Sequence, residues 1–276
     1  MAGVLYHGEP NGPSLSVLAA LQESGLEIEC FWTNLRAGER HAIGHDRGMM
    51  TDPVPYNHFG IEDFVAADFS VEGEGPFLVV DGEAMTDAVF LAQYLDETAQ
   101  GCGLQPADPY ARWQMRMWCR QVTERLAPAA AYLGNLAYTQ AWLAEWNGQD
   151  FHGMSLEIVS EDLRVRWQEL RDGVVDDAKV ADSKAKVAQF AQRIETQLGD
   201  GREWLMGAFS MADLETLAWL RSMRELEAEA FAATPRCNAW MDRVEARPSV
   251  QAALARATTD KPEHDFAPGP EINRWG

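Results

Sequence analysis

The sequence predicts an α/β domain followed by an all-helical domain, and three observations carry that prediction. A short apolar run at Val4–Tyr6, a helical segment from Ser14 and an alternating run at Leu26, Ile28 and Cys30 read as strand, helix, strand. That order is the pattern of a parallel pair with a crossover. Pro76–Val80 and Glu83–Met85 flank Asp81-Gly82, a dipeptide favoured in tight hairpin turns. From Asp108 onward apolar residues recur at three- and four-residue steps, and no strand pattern remains.

Each element follows from local chemistry. Gly8, Pro10, Gly12 and Pro13 break the chain after the first strand into a loop, and Ser14 opens the helix SLSVLAALQESG. Leu15, Leu18 and Leu21 share one face of it, and Gly25 is its stop. Leu26, Ile28 and Cys30 alternate with Glu27 and Glu29, as a half-buried strand requires. Arg36 to His58 is irregular, and Glu62–Asp68 is consistent with one short helix. After the hairpin a helix is expected from Thr86 to about Glu97. It completes a first domain over residues 1–100.

Gly101–Pro106 reads as a linker, and the second domain is expected over residues 107–257. Asp108 and Pro109 form a helix start, with Asp as the cap and Pro at the first helical position. The stripe Trp118, Val122, Leu126, Ala129, Leu133 and Leu136 follows at helical spacing, with a kink expected at Pro128. A second long helix is expected from Ser155 to Leu198, with a break near Asp172-Gly173. Shorter helices are expected at Met211–Leu226, at Cys237–Arg247 and after Pro248. From Thr258 to the end, residues 258–276, a tail rich in Pro, Gly and Asp is expected on the surface.

The net charge of −20 argues against nucleic acid and against anionic membranes as partners. No stretch approaches the roughly 20 apolar residues a membrane span needs. The four cysteines lie far apart with no CxxC pair, which excludes zinc-ribbon and dithiol redox motifs. No basic segment followed by an apolar run opens the chain, so a cytoplasmic setting with reduced thiols is expected. His41 and His45 are four apart in a loop-like stretch with no third ligand, and no metal site is expected.

The sharpest local signal is Phe209-Ser210-Met211-Ala212-Asp213-Leu214, a capping box in which the Asp213 carboxylate reaches back to the Ser210 amide. The second is Gly75-Pro76 entering a strand, then the hairpin, then Asp87 and Ala88 at a helix start. The third is the loop from Tyr6 to Ser14, where Ser14 is either a helix cap alone or also a hydroxyl donor, with Asn11 in reach of the same pocket. Trp113, Met117 and Trp118 stand on the first long helix, either as core or as aromatic walls of a ligand pocket.

The capping box, the proline–hairpin–acid stretch and the first loop together resemble the glutathione S-transferase superfamily. LYHGEPNGPSLSVLAALQESGLEIE, LQPADPYARWQMRMWCRQV and AWMDRVEARPSVQAAL resemble in particular the bacterial β-etherases of lignin breakdown. The resemblance implies a thioredoxin-like first domain that binds glutathione and a helical second domain. It implies a cis Pro76 with Gly75 presenting its backbone to the tripeptide, and Asp87 near the γ-glutamyl group. Ala88 replaces the Ser or Thr usual there, which removes a hydroxyl donor. Ser14 and Asn11 would stabilise the thiolate, and Trp113, Met117 and Trp118 would meet a small aromatic substrate. Residues 36–57 have no counterpart and read as an insertion. The implied reaction is cleavage of β-aryl ethers by glutathione; the alternative is a weakly active subunit that pairs with an active partner. A homodimer or a heterodimer with a related subunit is expected.

Overall fold

In the computed structural model, residues 3–35, 75–81, 83–157 and 161–266 are described. The insertion at 36–57 with His41 and His45, the short helix expected at Glu62–Asp68, Gly82 of the hairpin and the end of the tail lie outside them.

The first domain is built on strands β1 (Gly3–His7), β2 (Glu29–Trp32), β3 (Phe77–Val80) and β4 (Glu83–Met85), in the order β2-β1-β3-β4. β2 runs parallel to β1, while β3 is antiparallel to both β1 and β4. Helix α1 (Gly12–Ser24) makes the parallel crossover and ends on Gly25, whose positive φ of 65° suits a residue without Cβ. Helix α2 (Ala88–Thr98) begins two residues later than Thr86, because the Asp87 carboxylate accepts from the Phe90 amide and so caps the helix there.

The second domain starts with α3 (Pro109–Gln121), capped by Asp108 as the sequence implies. A π-helical turn at Val122–Leu126 precedes α4 (Ala127–Gly134), and another at Asn135–Thr139 precedes α5 (Gln140–Ala144). Pro128 stands in the first turn of α4, and the widened turn before it accommodates the ring and the missing N–H. The expected second long helix is three: α6 (Gly148–Glu157), α7 (Glu161–Asp172) and α8 (Asp177–Gln197). After α9 (Met211–Leu220) come α10 (Met223–Leu226), α11 (Ala228–Phe231), α12 (Pro235–Glu245) and α13 (Pro248–Leu254).

One hydrophobic core runs through both domains, because α1 is buried on more than one side. It packs against α2 of its own domain and against α9 and α13 of the other. Arg247, at the start of α13, reaches Glu23 near the end of α1 with contacts of 2.8–3.0 Å. In the described part of the tail, 258–261 are exposed as expected, while Pro262 and Phe266 are buried where the chain runs past the first loop and α4.

Candidate active site

The site is assembled at the C-terminal end of β1. Tyr6 pairs with Phe77, so continuing that antiparallel register by two residues sets Gly8 against Gly75. Leu78 pairs with Met85, and the same extension sets Pro76 against Asp87. The Gly75–Pro76 peptide is cis. A Cβ at Gly8 or Gly75 would meet the Leu35 side chain at 3.0 and 2.5 Å, so neither position has room for a larger residue. Gly8, Gly75, Pro76 and Asp87 thereby come together from segments far apart in the chain.

Ser14 is the third residue of α1, and Asn11 occupies the cap position expected for Ser14. The serine is buried, and its hydroxyl oxygen accepts from the Gly8 amide at 3.0 Å. Nothing among the described residues accepts its proton. The group is therefore held by one bond and free to donate along another. Asn11 makes no side-chain cap on α1. Its Nδ2 donates to the backbone carbonyls of Asp265 at 2.9 Å and Glu263 at 3.4 Å, while its Oδ1 is buried without a partner. The tail thus engages the Asn11 Nδ2 from the side of residues 263–265. The first-turn amides of α1, left without a side-chain cap, remain the positive end of the helix. Beside this loop burial lowers the His7 pKa, and the Nδ1 contact with the Gly8 carbonyl at 2.8 Å pulls it partly back.

Asp87 has φ 73° and ψ 116°, a conformation that costs a residue with a Cβ of order 1–3 kcal/mol. Burial raises its carboxyl pKa, and the Phe90 and Val89 amides pull it partly back. Ala88 is buried at the first position of α2 and offers its amide without a hydroxyl.

The three aromatic-wall candidates are not brought to this site together. Trp118 is buried in the helical core, donates to the Thr216 hydroxyl at 2.9 Å and meets Phe190 edge-on. Trp113 is 54% exposed and stacks on Tyr110 at 5.6 Å. Met117 is half-buried on the same helix. The side chains that touch the first loop from the second domain are others: Trp219 closes on Gly12, where a Cβ would stand 3.3 Å from the indole. Glu9 was also missed. Its buried carboxylate accepts from Trp32 Nε1 at 2.8 Å, from the Thr258 amide at 3.0 Å and from the Thr258 hydroxyl. No local pattern marks a loop glutamate whose partners stand 23 and 249 residues away.

The capping box forms as its spacing implies. Asp213 Oδ2 accepts from the Ser210 amide at 3.0 Å, and Oδ1 accepts from the Leu205 amide at 3.0 Å and Trp240 Nε1 at 2.8 Å. Burial pushes this carboxyl up to about 6 against the pull of those donors.

Residues 172–257 match the model of the glutathione S-transferase C-terminal domain. The crystal structure of beta-etherase LigF from Sphingobium sp. strain SYK-6 superposes with a TM-score of 0.75 at 23% identity, covering 93% of this chain and 100% of that one. The fold is that of the glutathione S-transferases. In sequence, protein LigF of the same strain is 24% identical over 258 residues, 90% of this chain and 91% of that protein. Glutathione transferase F7 from Populus trichocarpa shares the fold with a TM-score of 0.61 and 19% identity over 92% of this chain and 98% of its own. A glutathione transferase homolog from Sulfitobacter, solved with bound glutathione, does so with a TM-score of 0.56 and 19% identity over 92% and 98%. The thioredoxin-like first domain and helical second domain expected from the resemblance are both present. No helix among the described residues is long and apolar enough to cross a membrane, and no group of three potential metal ligands occurs among them.

Proposed function

We propose that this chain is a glutathione transferase that cleaves the β-aryl ether bond of lignin-derived aromatic ketones. The observation that carries the reading is the Ser14 hydroxyl, which accepts from Gly8 and keeps its own proton to give at the N-terminus of α1. Glutathione supplies the sulfur nucleophile. Its sulfur forms a bond to the β-carbon, the bond from that carbon to the aryl oxygen breaks, and the thiol proton leaves with the phenol.

The described residues fit such a tripeptide at three places. Ser14 and the uncapped amides of α1 favour a thiolate over a thiol by placing donors and the helix dipole at the sulfur. Gly75 and Pro76 present backbone at the start of β3, where an extended peptide can hydrogen-bond it. Asp87, at the start of α2, holds the γ-glutamyl ammonium, and the Ala88 amide faces the neighbouring carboxylate. The likeness to LigF supports the acceptor class, and the acidic surface suits a small uncharged substrate. The chain pairs with a second copy or with a related subunit in the cytoplasm.

Ala88 favours a second reading, a weakly active subunit that depends on its partner. A lost hydrogen bond to a charged group is worth roughly 1.5–3 kcal/mol, or one to two decades of affinity. Calorimetric titration of the purified chain with glutathione, followed by assay of phenol release from a β-aryl ether ketone, separates the two. Tight binding with release supports the enzyme; neither, until a related subunit is added, supports the partner reading.

A further inference from the structure

We propose that Thr258–Phe266 is a strap laid over the loop of Ser14, where the aromatic acceptor would meet the sulfur, and that Asn11 latches it: a positioning residue for the aromatic acceptor and not a partner of the sulfur. The reading of the acceptor rests on the function proposed above.

The strap is fastened to both domains. Toward the first, Thr258 binds the Glu9 carboxylate through its amide and hydroxyl, and the two carbonyls flanking His264 take the Asn11 amide protons. Toward the second, Phe266 is buried against Gly134, where even a Cβ would stand 2.3 Å from its ring. His264 stacks on Tyr138 with ring centres 3.8 Å apart and planes 9° from parallel. Glu263 is tied to Arg221 at 3.1 Å. The segment is thus pinned to the loop of Ser14 on one side and to α4 and the π turn after it on the other.

The closed strap is not fully satisfied. Asn11 Oδ1 and His264 Nε2 are both buried without hydrogen-bond partners. The geometry also explains why Asn11 spends no bond on capping its own helix. Its donors are committed to carbonyls more than 250 residues away in sequence.

The test uses the full chain with Asn11→Ala, Phe266→Ala and the double variant. In ligand-free protein, hydrogen exchange of the strap amides is expected to rise roughly tenfold in either single variant, as the loss of a few neutral contacts predicts, with α8 unchanged. With glutathione saturating, each single variant raises KM for the aryl-ether ketone several-fold and leaves the pKa of the bound thiol where it was. The double variant is no worse than either single one, because both act through one element. Unchanged exchange in Asn11→Ala overturns the latch. A raised thiol pKa in Asn11→Ala, with Phe266→Ala normal, overturns it too and returns Asn11 to the sulfur. If the wild type releases no phenol, the β-etherase reading fails by itself. Exchange and calorimetric binding of the ketone then decide the strap, with equal ketone affinity in all variants counting against it.

Discussion

The Gly8 amide donates to the Ser14 hydroxyl oxygen over 3.0 Å, and that bond aims the serine proton away from the loop that holds it. Donation into the oxygen polarises the hydroxyl and makes it a stronger donor. Ser14→Ala is expected to lower phenol release about 100-fold, the scale for removing one donor to reacting charge. It also strands the Gly8 amide, for a loss of about 1–3 kcal/mol in stability. The pKa of bound glutathione, read from thiolate absorbance, should rise in the variant. An unchanged thiolate pKa with lowered stability would leave Ser14 a structural residue only.

Asp87 supports a prediction with opposite signs for binding and stability. Burial raises its folded pKa above the unfolded value, so ionisation at neutral pH works against the fold, and the group's contribution is lost as pH rises through the folded pKa. Asn at this position keeps the cap on Phe90 and tolerates the positive φ. Asp87→Asn should therefore melt at the wild-type temperature or above at pH 7 while binding glutathione more weakly. On acidification, wild-type affinity should fall at a higher pH than an ordinary aspartate would give, and the variant should show no such step. Equal affinities for the two proteins remove Asp87 from the glutathione site.

Asp213 is held by donors on both oxygens, and an amide at that position faces one pair of them with its own N–H groups. Asp213→Asn is expected to cost about 2–3 kcal/mol through the stranded donors. Denaturant unfolding at neutral pH measures it. A change below about 0.5 kcal/mol, the level of ordinary surface substitutions, would show that the network relaxes without loss.

Glu23 and Arg247 make a forked contact across the domain seam, and the Arg247 guanidinium also lies 3.5 Å from the centre of the Phe209 ring. Lysine cannot reproduce either the fork or the stacked plane. Arg247→Lys should destabilise by about 1–2 kcal/mol. Arg202→Lys, in the exposed pair with Asp200, should leave the melting temperature unchanged. Similar losses at the two positions would contradict the difference in burial on which the comparison rests.

Much of this was legible because it is local. Strand–helix–strand order, the antiparallel pairing of β3 with β4, the Asp108-Pro109 start and the Ser210–Asp213 box each rest on residues within a few positions of one another, where periodicity and capping act directly. Departures of detail were also local: α1 starts earlier than Ser14, with Asn11 at the cap position but no side-chain cap, and α2 starts later than Thr86, where the Asp87 carboxylate caps it.

The sequence by itself determined the two-domain order, the strand–helix–strand start, the helix starts at Asp108 and Ser210, and the presence of Ser14, Gly75, Pro76 and Asp87 in patterns that meet at a sheet end. Only the tertiary structure decided which side chains face that end. It sent Trp118 to the core and Trp113 to the surface, because helical spacing names a face without naming what covers it. It brought the tail carbonyls to Asn11 and Thr258 to Glu9, because these partners lie about 250 residues apart and no local rule couples them.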